Sequence, residues 1–299
     1  MLNAAALASL VGSIVVLVLF ATDSRELLGV SVWEKPLKFL ISATFYATTF
    51  SWLYTFVEKG KGLASKMGNV IALMLIVELV VIVGMASVGS TSHFNVSTPF
   101  NIAIWSLMAT AISIVWLATF SLSTGLWNSQ IMSADLRLAV RWSIGLGLAG
   151  MGIAFTMTPP QPQQVLPENW AGIAGAHTVG AADGGPGLPF LGWSTQAGDL
   201  RISHFLGLHA LQVLPLIAVV SSILVTNHFV RRAIIMGAGV AYALLIAFTY
   251  VQALLGETIV QPSTLIFLGI VLIVGMLSTG FSLFRSRKDE TLKTRARVS

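Results

Sequence analysis

Apolar residues recur along this chain in eight runs, each of roughly 20 residues, which is enough for a helix to span the hydrocarbon core of a bilayer. Short segments that hold charge, proline or glycine separate them. The runs lie at about residues 4–22, 37–57, 69–89, 101–125, 139–158, 202–226, 233–256 and 262–284. The pattern predicts an all-α fold: a polytopic membrane bundle of eight transmembrane helices, with residues 1–284 as one domain.

Composition agrees with a membrane protein and excludes several other classes. Hydrophobic residues make up 55% of the chain and charged residues only 10%, with a mean hydropathy of +0.84. A soluble domain carries about 25% charged residues. The predicted partner is therefore a lipid bilayer, and no nucleic-acid-binding module is present. The chain has no Cys, which excludes disulfides and thiolate metal sites, so that any metal must use His and carboxylate ligands.

The basic residues predict an orientation. With a cytoplasmic N-terminus, thirteen of the seventeen Lys and Arg residues fall on the cytoplasmic side, in short loops or in the C-terminal tail. Such a bias is typical of cytoplasmic loops. We therefore predict a cell (inner) membrane protein with both termini in the cytoplasm and residues 285–299 as a basic cytoplasmic tail. The four exceptions, on the predicted outer side, are Arg25, Lys35, Lys38 and Arg201.

One outer connection is much longer than the others. Residues 159–200 hold six of the ten prolines, and a loop of this length is usually either functional or disordered. Large apolar residues such as Trp170, Phe190 and Trp193 argue against disorder. We expect this long loop to fold back as a lid over the outer mouth of the bundle.

The sixth span begins with a polar wedge. Arg201, His204, His209 and Gln212 occupy about 140° of one helix face at 100° per residue. Because polar groups are costly in hydrocarbon, this wedge must face protein or a watery cavity. Other outer polar residues could converge on it, namely His93, His177, Asp183, Asp199, Gln252 and Glu257.

Four His on one side are compatible with haem or a divalent metal, since neutral imidazole is the commonest metal ligand. The candidate ligand pairs are His209 with His93, or His204 with His177, and Arg201 would lie near a propionate or another anion. A structural alternative is that these His donate hydrogen bonds to loop carbonyls. His204 and His209 are five residues apart, so they cannot bind one ion as an i,i+4 pair does.

Glu78 lies near the centre of the third span. A charged carboxylate at this depth is costly, so we expect it to be protonated or paired. The hydroxyl-rich second span offers neutral partners. Glu78 is either a proton- or cation-coupling group or an interhelical hydrogen-bond donor.

A set of glycines in the fifth span predicts close helix packing. Gly145, Gly147, Gly150 and Gly152 follow one another within two turns. Small residues let membrane helices approach closely. We expect these positions to contact a neighbouring helix.

Four functional hypotheses follow. The leading one is a His-lined site near the outer face that binds haem or a metal in a redox or cofactor-assembly role. The first alternative is a secondary transporter coupled through Glu78, with the polar wedge as its entrance. The second is a membrane-embedded metal hydrolase with three ligands and one open position. The last is a non-catalytic scaffold for another complex.

Overall fold

The protein is described by a computed structural model, which covers the backbone of residues 1–298 and the side chains of that range other than those at 169, 282 and 284–298. Eight long helices make up the molecule, close to the predicted runs. They are α1 (Leu2–Thr22), α2 (Glu34–Tyr54), α3 (Lys61–Ser87), α4 (Pro99–Thr124), α5 (Ala134–Ile153), α6 (Leu200–Leu224), α7 (His228–Leu254) and α8 (Pro262–Val298).

Seven of these helices are long and apolar enough to cross a membrane, which makes the chain a polytopic helical membrane protein. The helix outside this group is α2, whose run of Ser, Thr and Tyr side chains lowers its hydropathy. The count of eight spans and the orientation with both termini inside therefore stay predictions. The predicted basic tail, residues 285–299, falls at the end of α8, and its side chains lie outside the described residues.

Polar side chains cap the N-termini of several helices. The Thr98 hydroxyl accepts a hydrogen bond from the Asn101 amide, and Pro99 occupies the first helical position of α4. Ser133 caps α5, Asp199 caps α6 and Asn227 caps α7 in the same way. These side chains satisfy backbone N–H groups that have no partner within a helix.

The closest helix packing joins α5 to α6. A Cβ atom at Gly150 would overlap the backbone of Gly207, and Gly147 also lies against α6. Gly145 and Gly152 face open space. Two of the four glycines therefore serve the predicted close approach.

The long loop packs back over one end of the bundle. Two short strands tie the middle of the loop to its C-terminal end, β3 (Thr178–Val179) with β4 (Gly198–Asp199), while the hairpin of β1 (Glu26–Leu27) and β2 (Val30–Ser31) lies at the same end of the bundle. The Lys38 ammonium of α2 donates to the Leu191 carbonyl at 3.0 Å. We call this the loop end of the bundle, and the end where α5 and α7 begin the opposite end.

Candidate functional site

A cavity of about 1730 Å³ lies beneath the long loop, between α2, α3, α4, α5 and α6. It is lined by eight of the eleven residues that the sequence indicates as site candidates. They are Glu78, His93, His177, Asp183, Arg201, His204, His209 and Gln212. The polar wedge of α6 therefore faces a cavity, as the cost of polar groups in hydrocarbon requires.

Aromatic side chains form much of the remaining wall. Phe39, Phe94, Trp105, Trp116 and Phe205 all line the cavity. An apolar cavity with a few placed polar groups is the usual form of a small-molecule or cofactor site. The loop end of this bundle therefore has the composition of a ligand site.

His177 is held by Asp183 within the long loop. Its Nδ1 lies 2.6 Å from the Asp183 carboxylate, which also accepts hydrogen bonds from the His177 and Thr178 amides. Burial lowers the pKa of His177 despite the neighbouring carboxylate. Burial acts to raise the pKa of Asp183, but these hydrogen bonds outweigh it and hold the pKa well below its usual range. The pair is thus a neutral imidazole that donates from Nδ1 to a carboxylate, which leaves the lone pair on Nε2.

His204 is held in the same tautomer by a backbone group. Its Nδ1 lies 2.7 Å from the Gly150 carbonyl of α5, at the point where α5 and α6 meet most closely. Because a carbonyl only accepts, Nδ1 carries the proton and Nε2 the lone pair. The structural alternative from the sequence, a His that donates to a carbonyl, therefore holds for Nδ1 of His204. That hydrogen bond involves only Nδ1 and leaves Nε2 of His204 available for another interaction.

His93 has the opposite tautomer. The Lys35 ammonium and the Ser92 hydroxyl each lie 3.0 Å from its Nδ1. Burial, Lys35 and His177 lower the pKa of His93 well below its ordinary value. A neutral His93 that accepts from the Lys35 ammonium at Nδ1 carries its proton on Nε2.

His209 and Gln212 lie deeper on α6. The ring of His209 packs on Phe205 with 4.2 Å between ring centroids. The Gln212 amide donates to the Thr49 hydroxyl of α2 at 3.0 Å. Its buried Oε1 has no hydrogen-bond partner among the described residues, and the His209 ring is the neighbouring polar group.

Glu78 lines the cavity from α3 and is 6% exposed. Its Oε1 is buried without a partner among the described residues. Two of the hydroxyl groups of α2 that the sequence offers as neutral partners bond elsewhere: Tyr46 pairs with Thr119, and Thr44 donates to its own helix. The expected pairing of Glu78 within the protein is therefore absent for that oxygen.

Arg201 is bound by the protein itself. Its guanidinium lies 2.6 Å from the Asp199 carboxylate, with a second contact at 2.9 Å, and it also donates to the Gly192 carbonyl. Asp199 is buried, caps α6 and does not line the cavity. Arg201 therefore fastens the long loop to α6 as well as facing the cavity.

Gln252 and Glu257 lie outside the cavity walls. The buried Gln252 amide donates to the Thr264 hydroxyl at 2.7 Å and to the Thr258 carbonyl at 3.2 Å. The Glu257 amide donates to the Gln252 carbonyl just after α7 ends. These contacts join the end of α7 to the start of α8, which is a structural role.

Lys35 is a cavity residue that the sequence places among the outer groups near the polar wedge without assigning it a role in the site. It stands in the first turn of α2. A signal was present, because Lys35 is one of the four basic residues that break the charge bias. Three of those four, Lys35, Lys38 and Arg201, line the cavity.

In the part of the chain that the structure describes, no three His, Asp or Glu side chains are grouped so as to hold a metal ion. No protein-family model, curated protein or solved structure matches this chain. The chemistry of the cavity is therefore argued from its own residues.

Proposed function

We propose that the cavity binds haem, with His177 and His204 as the axial ligands, in a membrane redox or cofactor-assembly role. The observation that carries this proposal is the donor set. Both imidazoles donate from Nδ1 to a fixed acceptor, which leaves a lone pair on Nε2, and both residues line one cavity. Metal-ligating His residues characteristically donate their other ring N–H to a carboxylate or a carbonyl.

This ligand pair is preferred to the alternative of His209 with His93. The Lys35 ammonium donates to Nδ1 of His93, so Nε2 of that ring carries a proton and cannot ligate iron. A bis-imidazole site needs two such rings and no third protein ligand, so it is consistent with the absence of a three-residue metal cluster among the described residues.

The walls suit the macrocycle of the cofactor. Drug-sized ligands occupy pockets of about 300–1,000 Å³, and this cavity is larger, with aromatic side chains on several sides. Bound haem supplies one-electron chemistry at iron, tuned by its axial ligands and by burial. The protein residues orient the two imidazoles and keep them neutral in a largely apolar space.

The test is a visible spectrum of the full-length protein purified in detergent and titrated with haem. We expect a Soret band typical of six-coordinate haem, which His177→Ala and His204→Ala each shift or abolish. His228→Ala is the matched control, because His228 is exposed at the opposite end of the bundle. A wild-type protein that takes up no haem, or a spectrum unchanged in both alanine variants, would refute the proposal.

A second candidate is proton-coupled transport through Glu78. The observation that favours it is the buried, unpartnered Glu78 oxygen on the wall of a large cavity. Proton entry into vesicles that enclose a pH-sensitive dye tests it, with the protein reconstituted and an imposed pH gradient. We expect Glu78→Gln to abolish any flux that the wild type shows, whereas exposed Glu168→Gln leaves it unchanged. Flux that persists in Glu78→Gln rules out this role.

The remaining hypotheses have less support. A metal hydrolase needs three ligands around one open position, and the described residues provide no such group. A protein that neither binds haem nor conducts protons would be consistent with the scaffold hypothesis.

A further inference from the structure

We infer that Lys35, positioned by His93, forms a binding site for a carboxylate group of the molecule that occupies the cavity. This inference rests on the proposed function in so far as the cavity holds a ligand. In a haem complex the carboxylate is a propionate. The sequence pointed to Arg201 for that role, and the structure points to Lys35 instead.

Lys35 differs from the other basic residues at the loop end because its charge is not neutralised by the protein. Arg25 pairs with Asp23 at 2.7 Å, Lys38 with Glu34 at 2.5 Å, and Arg201 with Asp199 at 2.6 Å. Among the described residues, Lys35 has no carboxylate within 4.0 Å. Its one hydrogen-bond partner is the uncharged His93 ring.

Two carboxylates on the cavity wall, Asp183 and Glu78, do not pair with Lys35 among the described residues. Asp183 accepts hydrogen bonds from the His177 ring and from the His177 and Thr178 amides. A partly buried cation without a counter-ion is costly, so an anionic group in the cavity would stabilise this arrangement.

His93 positions the ammonium. Its ring is packed among three aromatic side chains, with ring-centroid distances of 5.7 Å to Phe39, 6.1 Å to Phe94 and 5.5 Å to Trp105. Nδ1 accepts from Lys35, so the ring holds the ammonium at one place on the cavity wall. Lys35 and His93 both line the cavity.

A carboxylate is the complement of this ammonium. Ionised carboxylates only accept hydrogen bonds, and bonds between ionised partners are about twice as strong as neutral ones. The ammonium has three N–H donors, and one of them is used on His93, so a carboxylate in the cavity can accept from another. An apolar molecule with a terminal carboxylate therefore fits both the walls and this polar corner.

The experiment compares haem with haem dimethyl ester, whose propionates are blocked, in the wild type and in Lys35→Met. We expect wild-type protein to prefer haem over the ester by at least about tenfold, the value of one hydrogen bond to a charged group. In Lys35→Met that preference should disappear, because the affinity for haem falls while the affinity for the ester stays unchanged. Lys66→Met is the matched control, because Lys66 is exposed at the opposite end of α3.

The outcomes separate this inference from the haem proposal. If wild type binds haem and its ester equally well, the carboxylate site is wrong and the haem proposal stands. If wild type binds neither, the haem proposal fails, and the carboxylate site is tested with radiolabelled palmitate against its methyl ester. Palmitate binding that Lys35→Met abolishes would support the site. Binding that is unchanged in Lys35→Met, or absent in the wild type, would overturn it.

Discussion

The two ends of the bundle use their charged residues differently. At the opposite end, Arg231 pairs with Asp135 at 2.7 Å and also donates to the Val225 and Thr226 carbonyls. Arg137 there donates to the Ser129 carbonyl at 2.7 Å. At the loop end, the charges that face the cavity are only partly satisfied, as Lys35 and Glu78 show.

This difference distinguishes polar groups that stabilise the fold from polar groups that are available to a ligand. Buried polar groups in folded proteins are nearly always hydrogen-bonded, so an unsatisfied group needs an explanation. At the opposite end the orphan side-chain atoms are the neutral hydroxyls of Ser123 and Ser129. At the loop end they include a carboxyl oxygen and an amide oxygen, both on residues that line one cavity. The incomplete pairing is therefore concentrated where a ligand can complete it.

The largest effect is expected at the contact of α5 with α6, near the C-terminal end of α5. Gly150→Ala places a Cβ against the backbone of Gly207, which cannot give way as a flexible side chain does. We expect the free energy of unfolding to fall by about 3 kcal/mol, since overpacking usually costs about 1–3 kcal/mol and backbone contacts are the severe cases. His204 should also be displaced, because its ring donates to the Gly150 carbonyl.

Thermal unfolding in detergent measures this loss. Gly152→Ala is the control, since that position faces open space and alanine favours a helix over glycine by up to about 1 kcal/mol. Equal melting temperatures for the two alanine variants would show that α5 and α6 do not meet as described.

The next effect tests the structural role of charge at the opposite end. Arg231→Met leaves the Asp135 carboxylate, whose side chain is 12% exposed, without its partner. We expect a loss of about 2–3 kcal/mol in unfolding free energy, below the roughly 3–5 kcal/mol for fully buried pairs. The exposed neighbour Arg232→Met is the matched control, and haem binding should be unchanged in both variants. If Arg231→Met melts like wild type, the Arg231–Asp135 pair does not have the stabilising role assigned to it.

Much of the scaffold follows from local sequence. The apolar runs, the polar starts of helices such as Thr98 and Asp199, and the polar wedge of α6 all depend on neighbours within one or two turns. The position of α2 was likewise predicted from its apolar residues. Its hydroxyl groups, which keep it from standing out as a span, are satisfied inside the bundle, for example Tyr46 on Thr119.

The pairing of charges could not be predicted in this way. Arg201 and Asp199 are only two residues apart, but the bond from Arg201 to the Gly192 carbonyl depends on how the long loop folds, which no local pattern specifies. The lack of a carboxylate partner for Lys35 among the described residues depends on that folding as well. The same holds for the imidazole tautomers. Which nitrogen of His93 or His204 carries the proton is decided by a partner 58 or 54 residues away in sequence.

A smaller effect, of opposite sign to that of Arg231→Met, is expected at Glu78. Glu78→Gln replaces a buried carboxyl group that has no hydrogen-bond or ion-pair partner among the described residues. We expect the free energy of unfolding to stay constant or to rise by up to about 1 kcal/mol, because no satisfied contact is lost. Asp135→Asn, in the satisfied pair at the opposite end, should instead lower the melting temperature. A Glu78→Gln variant that is as destabilised as Asp135→Asn would remove the contrast between the two ends.

We expect the smallest effect at Asp23, a carboxylate at the loop end that is already paired within the protein. The Asp23 carboxylate accepts hydrogen bonds from the Arg25 guanidinium and from the Trp33 indole at 2.8 Å, while Arg25 also donates to the Ser87 carbonyl. The hydrogen bonds from Arg25 and Trp33 hold the pKa of Asp23 well below its usual range.

Because the pKa is lower in the folded state, the stability that Asp23 contributes is present above about pH 4, the ordinary Asp value, and is lost as the pH falls below it. We therefore expect the melting temperature of Asp23→Asn to lie slightly below that of wild type at pH 6, and the two to converge as the pH falls toward 3. The exposed Glu26→Gln serves as the control, and a difference between wild type and Asp23→Asn that stays constant over this range would contradict the assignment.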